Sequence, residues 1–464
     1  MRRFLPLAVA LAAAGCSFTP EYQRPEAPVA ATWPTDATGA ARSTAIATDW
    51  RAFFPDPRLQ GLIAAALEHN RDLRIAVARV EEARALAGIA GADRFPTLGL
   101  AAQRAAALTP ADLSLTGRQL NSQRYDVNLA VASFELDFWG RVKSLDDAGR
   151  ANFLASDYAR QAFRLSLIAD VANAYLSLLE LGERLELARA TTTSREETRA
   201  LTVRRRDVGL AGDLDYLQAD GAFQSARAET ASLARSHAAA ENALRLLVGA
   251  APTGVDGVKL AQQGLIADLA VGLPAEVLLA RPDVLAAEQK LIAANANIGA
   301  ARAAFLPKVV LTAAAGTASA GLSGLFNAGS GAWSFLPALS LPLFDAGRSS
   351  DNVDLAKARK NVAVAEYEKA IQQAFREIAD LLAARSQLAE QLEAQEANAT
   401  AQSQRLVIVE ARYKAGVSSH LELLDAQRED FAARQSALAV RRQLLSIAAG
   451  FYKALGGVTT DEAK

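Results

Sequence analysis

The 464-residue chain is 51% apolar and 22% charged, with 50 Lys plus Arg against 51 Asp plus Glu, which excludes a disordered chain and supplies a large core. A formal net charge of -1 removes the global basic field that non-specific nucleic-acid binding needs, so no nucleic-acid partner is expected. One Cys excludes an intramolecular disulfide, and His69, His237 and His420 leave little from which to build a metal centre or a catalytic base.

At the amino terminus, Met1, Arg2 and Arg3 precede an apolar run over residues 4–14 and then Cys16. This pattern predicts a signal peptide over 1–15, too short to span a bilayer. The only cysteine follows Ala13, Ala14 and Gly15, which resembles the lipobox of bacterial lipoproteins, with Ala13 standing where Leu is usual. The resemblance implies that Cys16 is lipidated, with diacylglyceryl and N-palmitoyl groups, and Ser17 is compatible with sorting to an outer membrane. The plainer reading is a small apolar Cys in a signal cleaved elsewhere. Residues 16–50, with Pro20, Pro25, Pro28 and Pro34 and no apolar period, read as an extended tether.

Seven of the fifteen prolines lie in the first 57 residues, none lies between Pro110 and Pro252, and none follows Pro342. Two very long stretches are therefore free of the strongest helix breaker. Self-comparison shows why there are two. The segment starting at Arg71 resembles the one starting at Arg281, placing Asp72 on Asp283 and Pro96 on Pro307 at a shift of 211. Further on, residues 208–220 match 415–427 at a shift of 207, the difference lying in loops. A first repeat is expected over 51–248 and a second over 281–456. A connecting equatorial segment at 249–280 and a tail at 457–464 complete the chain.

Within the first repeat Ile168, Val171, Tyr175, Leu178 and Leu185 recur at helical spacing; within the second, Val364, Tyr367, Ile371, Phe375, Ile378 and Leu382 do. A shift of 207 carries Ile168, Val171, Tyr175 and Leu185 onto Phe375, Ile378, Leu382 and Leu392, so the two seams share one register. Residues 349–415 hold neither Gly nor Pro, enough for about 100 Å of helix at a rise of about 1.5 Å per residue. Such a rod cannot bury itself in a compact domain, and its spacing argues for coiled-coil packing. Gly209 and Gly416 are expected to reverse each rod, at turns 209–212 and 416–419, into return helices over 213–247 and 420–455.

The helical period fails over residues 95–139 and again over 305–344, where two hairpin pairs, four strands in all, are expected. Tyr125, Val127, Leu129 and Val131 alternate with Asp126 and Asn128, as suits a wall with lipid on one side and water on the other. Four strands cannot close a barrel, and open edges are not tolerated in lipid, so membrane-spanning strands would require several copies. Two copies supply eight strands and three supply twelve. A small soluble sheet capping a helical bundle is the other reading.

Taken together, CSFTPEYQRPEAP from Cys16, WRAFFPDPRLQGLIAAALEHNRDLRIA from Trp50, FELDFWGR from Phe134, the stretch from Gly272 to Pro307 and RYKAGVSSHLELLDAQR from Arg412 resemble the outer-membrane efflux channels of the TolC family. The closer likeness is to the lipoprotein branch serving resistance-nodulation-division (RND) pumps, and it covers essentially the whole mature chain. It implies a mainly α fold with a transmembrane β part: a homotrimer with a 12-stranded β-barrel in the outer membrane and a periplasmic α-barrel of coiled-coil helices. It also implies a periplasmic membrane-fusion adaptor and an RND-type inner-membrane transporter as partners. No cofactor beyond the covalent lipid and no chemistry of its own are implied.

The spacing of three puts Glu422 and Asp425 on one helix face. By resemblance, the matching carboxylates line the constricted periplasmic end, and three chains would make two rings of negative charge. Asp215 holds the position of Glu422 in the first repeat, while Gln218 replaces the second carboxylate. Solvated helix-surface charges are the bland alternative. Val208, Gly209, Ala415, Gly416 and Val417 are the implied adaptor contacts. His420, beside the turn, reads as a passive surface histidine in preference to a pH sensor. Arg141 and Arg348, after Gly140 and Gly347, read as anchors at helix starts or a lipid boundary.

Two other classes remain. A secreted periplasmic coiled-coil or adaptor protein would have rods and turns but no need of duplicated strands. A cell-surface enzyme would need a nucleophile with a base, paired histidine ligands or a phosphate-cradling loop, and the sequence offers none.

Overall fold

The computed structural model describes residues 18–30, 49–250, 258–263 and 275–457. The signal segment, Cys16 and residues 458–464 lie outside them. In chain order come α1 (Trp50–Phe53), α2 (Pro57–His69), α3 (Arg71–Ala92), β1 (Leu98–Thr109), β2 (Leu120–Glu135), α4 (Arg141–Asp207) and α5 (Asp213–Val248). The pattern returns as α6 (Pro282–Ala303), β3 (Lys308–Ser319), β4 (Gly331–Ser340), α7 (Arg348–Lys414) and α8 (His420–Ala454). The two rods, α4 and α7, have 67 residues each, as equal inheritance from one duplicated unit requires.

Contacts divide the chain into two compact units that cut across the repeats. One comprises residues 1–26, 79–157 and 286–368; the other comprises 27–78, 158–285 and 369–464.

In the first unit the strands form one antiparallel sheet in the order β1-β2-β3-β4. The two hairpins join because β2 also pairs with β3, Tyr125 facing Ser319 and Val131 facing Ala313. Register sorts the side chains. Leu98 pairs with Val131, Leu100 with Leu129, Ala313 with Phe335 and Ala315 with Trp333, so apolar residues of all four strands share one face. The other face carries Gln103, Asp126, Asn128, Ala314, Gly316 and Ser334. A bulge between Val131 and Phe134 keeps those two residues on the same face despite their odd spacing. At Gly316 a Cβ would sit 2.1 Å from the Val127 carbonyl oxygen, so only Gly lets the two backbones pass.

The joint after β2 is locked by Glu135, which accepts bidentately from Arg141 at 2.7 and 2.6 Å and pairs with Lys308 at 3.1 Å. Arg141 is therefore a clasp between strand end and helix start. Trp139 donates from Nε1 to the Pro307 carbonyl at 2.8 Å, tying the first repeat to the second. Arg348 is exposed at the matching start of α7, where Asp345 caps the helix by accepting from the Ser349 N–H at 2.9 Å.

In the second unit, Asp56 caps α2 by accepting from the Arg58 N–H at 2.9 Å, with Pro57 pre-set at the first helical position. The core gathers Trp50, Phe53, Phe54, Leu59 and Ile63 against Ile168, Val171, Tyr175 and Leu179, with Leu244 and Tyr452 closing it. The rings of Phe53 and Tyr452 lie 5.2 Å apart. A stretch of α4 is apolar and long enough to cross a membrane, but much of it, including Leu165, Ile168, Val171 and Tyr175, is buried in this protein core.

The shared seam register is visible at Val171 and its equivalent Ile378, both buried. Burial is otherwise unequal: Tyr175 is fully buried, whereas its equivalent Leu382 is half-buried, because the core residues of α1 and α2 pack on the α4 seam. Arg281, 3% exposed, binds Asp283 and Glu377 and donates to the Ala454 carbonyl at 3.0 Å, fastening the start of α6 to α7 and α8.

Candidate functional site at the helix turns

Both rods end alike. Gly209 (φ 77°) and Gly416 (φ 77°) adopt the left-handed conformation that a side chain would strain. The Gly209 N–H donates to the Arg206 carbonyl and the Leu210 N–H to that of Arg205; Gly416 donates to Tyr413 and Val417 to Arg412. This is the same Schellman ending twice, satisfying carbonyls that the helix leaves free. Gly212 precedes α5, its N–H donating to the Asp215 carboxylate at 3.2 Å, and Ser419 caps α8 through the Glu422 N–H, also at 3.2 Å.

The expected gate carboxylates differ in their surroundings. Glu422 is half-buried in the first turn of α8 and makes no ion pair among the described residues. Asp425 is clamped: Arg405 of α7 donates to one oxygen at 2.7 Å and Arg428 of α8 to the other at 2.9 Å. The hydrogen bond from Arg405, reinforced by both positive charges against a desolvation penalty, holds its carboxyl below the usual range. The sign follows: this contact is fully present above the ordinary carboxylate pKa and fails only as pH falls through the depressed value. Asp215, half-buried, serves the α5 start.

His420 is not the surface residue its position suggested. It is 7% exposed, its ring 5.7 Å from that of Tyr413, and neither ring nitrogen has a hydrogen-bond partner among the described residues. The turn folds its first helical residue inward onto a small cluster of Val409, Tyr413, Leu423 and Ala426. Desolvation pushes the imidazole pKa down, Asp215 pushes it up and Arg205 pushes it down, with a net lowering. Arg205 itself stacks on Tyr413 at 4.7 Å and donates to its carbonyl at 3.3 Å, so the two turns are fastened together.

Of the expected contact residues, Val208 is 71% and Val417 69% exposed, and Gly209, Ala415 and Gly416 are exposed beside them. Sequence reading missed Leu210, Leu214, Leu217 and Leu421, each at least 63% exposed at the same turns. The available signal was apolar residues where a solvated turn has polar ones. It also missed Arg405 and Arg428. Arg428, three residues from Asp425, was legible from spacing; Arg405, twenty residues away across the turn, was not.

Among the described residues no group of three or more His, Cys, Asp or Glu is placed to hold a metal ion. Comparison with known proteins accounts for the arrangement. Residues 62–250 and 273–457 match the family described as outer membrane efflux protein, one stretch falling on each repeat. The chain belongs to that family. Outer membrane protein OprJ of Pseudomonas aeruginosa is 45% identical over 456 residues, 97% of this chain and 95% of that protein. The toluene efflux pump outer membrane protein TtgF of Pseudomonas putida is 44% identical over 464 residues, covering 98% and 96%. Among solved structures, a membrane protein from Pseudomonas aeruginosa matches with a TM-score of 0.88 at 44% identity, over 95% of this chain and all of that one. The open state of the Neisseria gonorrhoeae MtrE outer membrane channel matches with a TM-score of 0.84 at 39% identity, over 95% and 98%. This family member is thus an outer-membrane efflux channel, with a duplicated helical body and a β part of four strands.

Proposed function

We propose that the protein is the passive exit duct of a tripartite pump, a homotrimer that accepts small molecules at its helix turns and releases them outside the cell. One observation carries this reading: a four-stranded sheet in which all four strands set apolar residues on one face, with two unpaired edge strands, β1 and β4. Such a sheet is unstable in lipid until its edges are paired, and three copies edge to edge complete twelve strands. A periplasmic coiled-coil protein has no use for that face. The chain performs no catalysis in this reading; the energy comes from an RND-type transporter in the inner membrane. Cys16, lipidated, adds an anchor in outer-membrane lipid.

At the other functional end, Glu422, Asp425 and Asp215 form the periplasmic gate, and Val208, Gly209, Ala415, Gly416 and Val417 meet a membrane-fusion adaptor. The exposed leucines at these turns extend that contact, since apolar side chains in water gain most from being covered. Replacing Leu210 and Leu421 together with Ser is expected to abolish drug export in cells while leaving conductance of the purified channel unchanged. A matching loss of conductance would place these leucines in the channel's own structure.

Planar-bilayer conductance of the detergent-purified protein, with oligomer mass measured on the same sample, tests the whole reading. Stable trimers giving discrete, cation-preferring steps are the expected result. A monomer that stays soluble without detergent and does not conduct would favour the coiled-coil alternative.

A further inference from the structure

The duplication puts two different residues at one position. A shift of 207 carries Asp213, the first residue of α5, onto His420, the first residue of α8. A helix start favours an acid, because its free N–H groups give it positive character. Asp213 follows that rule and is exposed. His420 breaks it twice: it is a base at a helix start, and it is only 7% exposed. Neither ring nitrogen has a hydrogen-bond partner among the described residues, and the hydroxyl of Ser418, two residues back, is likewise buried without one. A side chain that departs from its local rules without a compensating bond is a candidate for function.

The ring of His420 belongs to a stack that joins three helices. Tyr413, at the end of α7, lies 5.7 Å from it ring to ring, and Arg205 of α4 sits over Tyr413 at 4.7 Å and donates to its carbonyl at 3.3 Å. Tyr413 is buried with Val409, Leu423 and Ala426, and Leu201 of α4 packs against them. Charge offers the imidazole little support. Burial is the largest influence and lowers its proton affinity, Asp215 of α5 raises it, and Arg205 lowers it again. Asp215 is already engaged by the Gly212 N–H at 3.2 Å. On α7, Arg412 and Lys414 on either side of Tyr413 are exposed. On α8 itself, Glu422 is two residues along and so faces elsewhere, while Asp425 is held by Arg405 and Arg428. The ring is therefore neutral where it sits, with its pKa below the ordinary imidazole value.

We propose that His420 is an acid-released latch between the two turns: neutral, it packs on Tyr413 and so holds α8 and α7 to Arg205 of α4; protonated, it leaves the cluster for water and loosens the periplasmic entrance. An imidazolium has two N–H donors and no lone pair, and the buried position provides no acceptor for either. Gly416, at φ 77°, and the residues from Val417 to Ser419 lie between the two helices and supply backbone that absorbs the movement without breaking either one. The depressed pKa fixes the sign: the latch is fully closed above the ordinary imidazole pKa and is lost as pH falls through the lowered value. The consequence for the entrance rests on the reading of these turns as the periplasmic end of the channel.

The test uses the purified full-length protein as wild type and as His420→Phe, which keeps an aromatic ring in the cluster and takes no proton. Deuterium exchange at the imidazole C2 position follows protonation of His420, with His69 and His237 as references in the same sample. Amide protection over residues 205–216 and 412–423 follows release of the turns, and planar-bilayer recording follows opening. As pH falls from about 8 to about 4, protection in the wild type is expected to fall, and opening frequency to rise, by about tenfold for each tenfold by which the released form binds the proton more tightly. His420→Phe is expected to keep its protection over the same range, any residual opening in acid belonging to the carboxylates of the gate. An equal acid response in both proteins, or a His420 ring that titrates at or above the ordinary imidazole value, would overturn the latch; the ring measurement needs no variant and stands even if His420→Phe folds poorly. Turns that release in acid without any change in conductance would instead overturn the reading of this end as the entrance, and amide exchange alone tells the two failures apart.

Discussion

Glu422→Gln channels are expected to show cation preference reduced by about twofold or more in planar bilayers with little change in conductance, whereas Asp425→Asn channels change in both. Each substitution removes one negative charge per chain, so a gate built on net charge alone would respond equally to both. The structure separates them. Glu422 makes no ion pair among the described residues, so in the proposed gate its charge would stand uncompensated. Asp425 is bound by Arg405 of α7 and Arg428 of α8, so its charge is already compensated and its main work is to hold α7 to α8 beside the turn. Asn in its place makes weaker, neutral hydrogen bonds, leaves two arginines without their acid and loosens the hairpin. Larger conductance and more frequent opening of the Asp425→Asn channel are therefore expected. Wild-type conductance and selectivity in both variants would remove both carboxylates from the gate.

Tyr175→Ala is expected to have the largest effect on stability, about 3 to 5 kcal/mol, because a fully buried aromatic ring is removed from the centre of the core. The phenol also donates to Asp56 at 2.8 Å, beside the bonds from the Arg58 N–H and from Gln263 at 2.9 Å. Desolvation pushes the Asp56 carboxyl up, but these donors outweigh it and hold it below the ordinary range. That interaction is complete above the ordinary carboxylate pKa and is lost as pH falls through the depressed value. Tyr175→Phe keeps the ring and loses only the donor, so a smaller loss of about 1 to 2 kcal/mol is expected, together with acid unfolding that begins at a higher pH. Thermal dissociation of the oligomer between pH 2 and pH 8, a range of about six decades in proton activity that reaches below the ordinary carboxylate pKa, checks both variants. Equal melting of wild type and Tyr175→Ala would show that this cluster does not limit stability.

The rods, the turns and the strands were legible because each is written in a local signal. Residues 349–415 without Gly or Pro mark a rod, and α7 is found at Arg348–Lys414. Gly209 and Gly416 mark the reversals of the two rods, one each, because only glycine enters the left-handed region without strain. Alternation through Tyr125, Val127, Leu129 and Val131 gave one face of β2, but not its pairing with β3, which lies far along the chain and depends on the whole repeat folding back. His420 was misplaced for a related reason. Its neighbours in sequence say surface, while Tyr413 and Leu423, brought together by the turn, bury it.

Duplication, helix length, turn positions and the membrane-suited face were determined by the sequence alone, since they follow from periodicity and from which residues tolerate which backbone angles. Which carboxylates carry free charge and what residues 18–24 touch were decided only by tertiary structure. Asp425 meets Arg405 across a turn, and Glu288 meets Arg24 across 264 residues. Electrostatic partners are selected by distance in space, and no local pattern records a distance that only the folded chain creates.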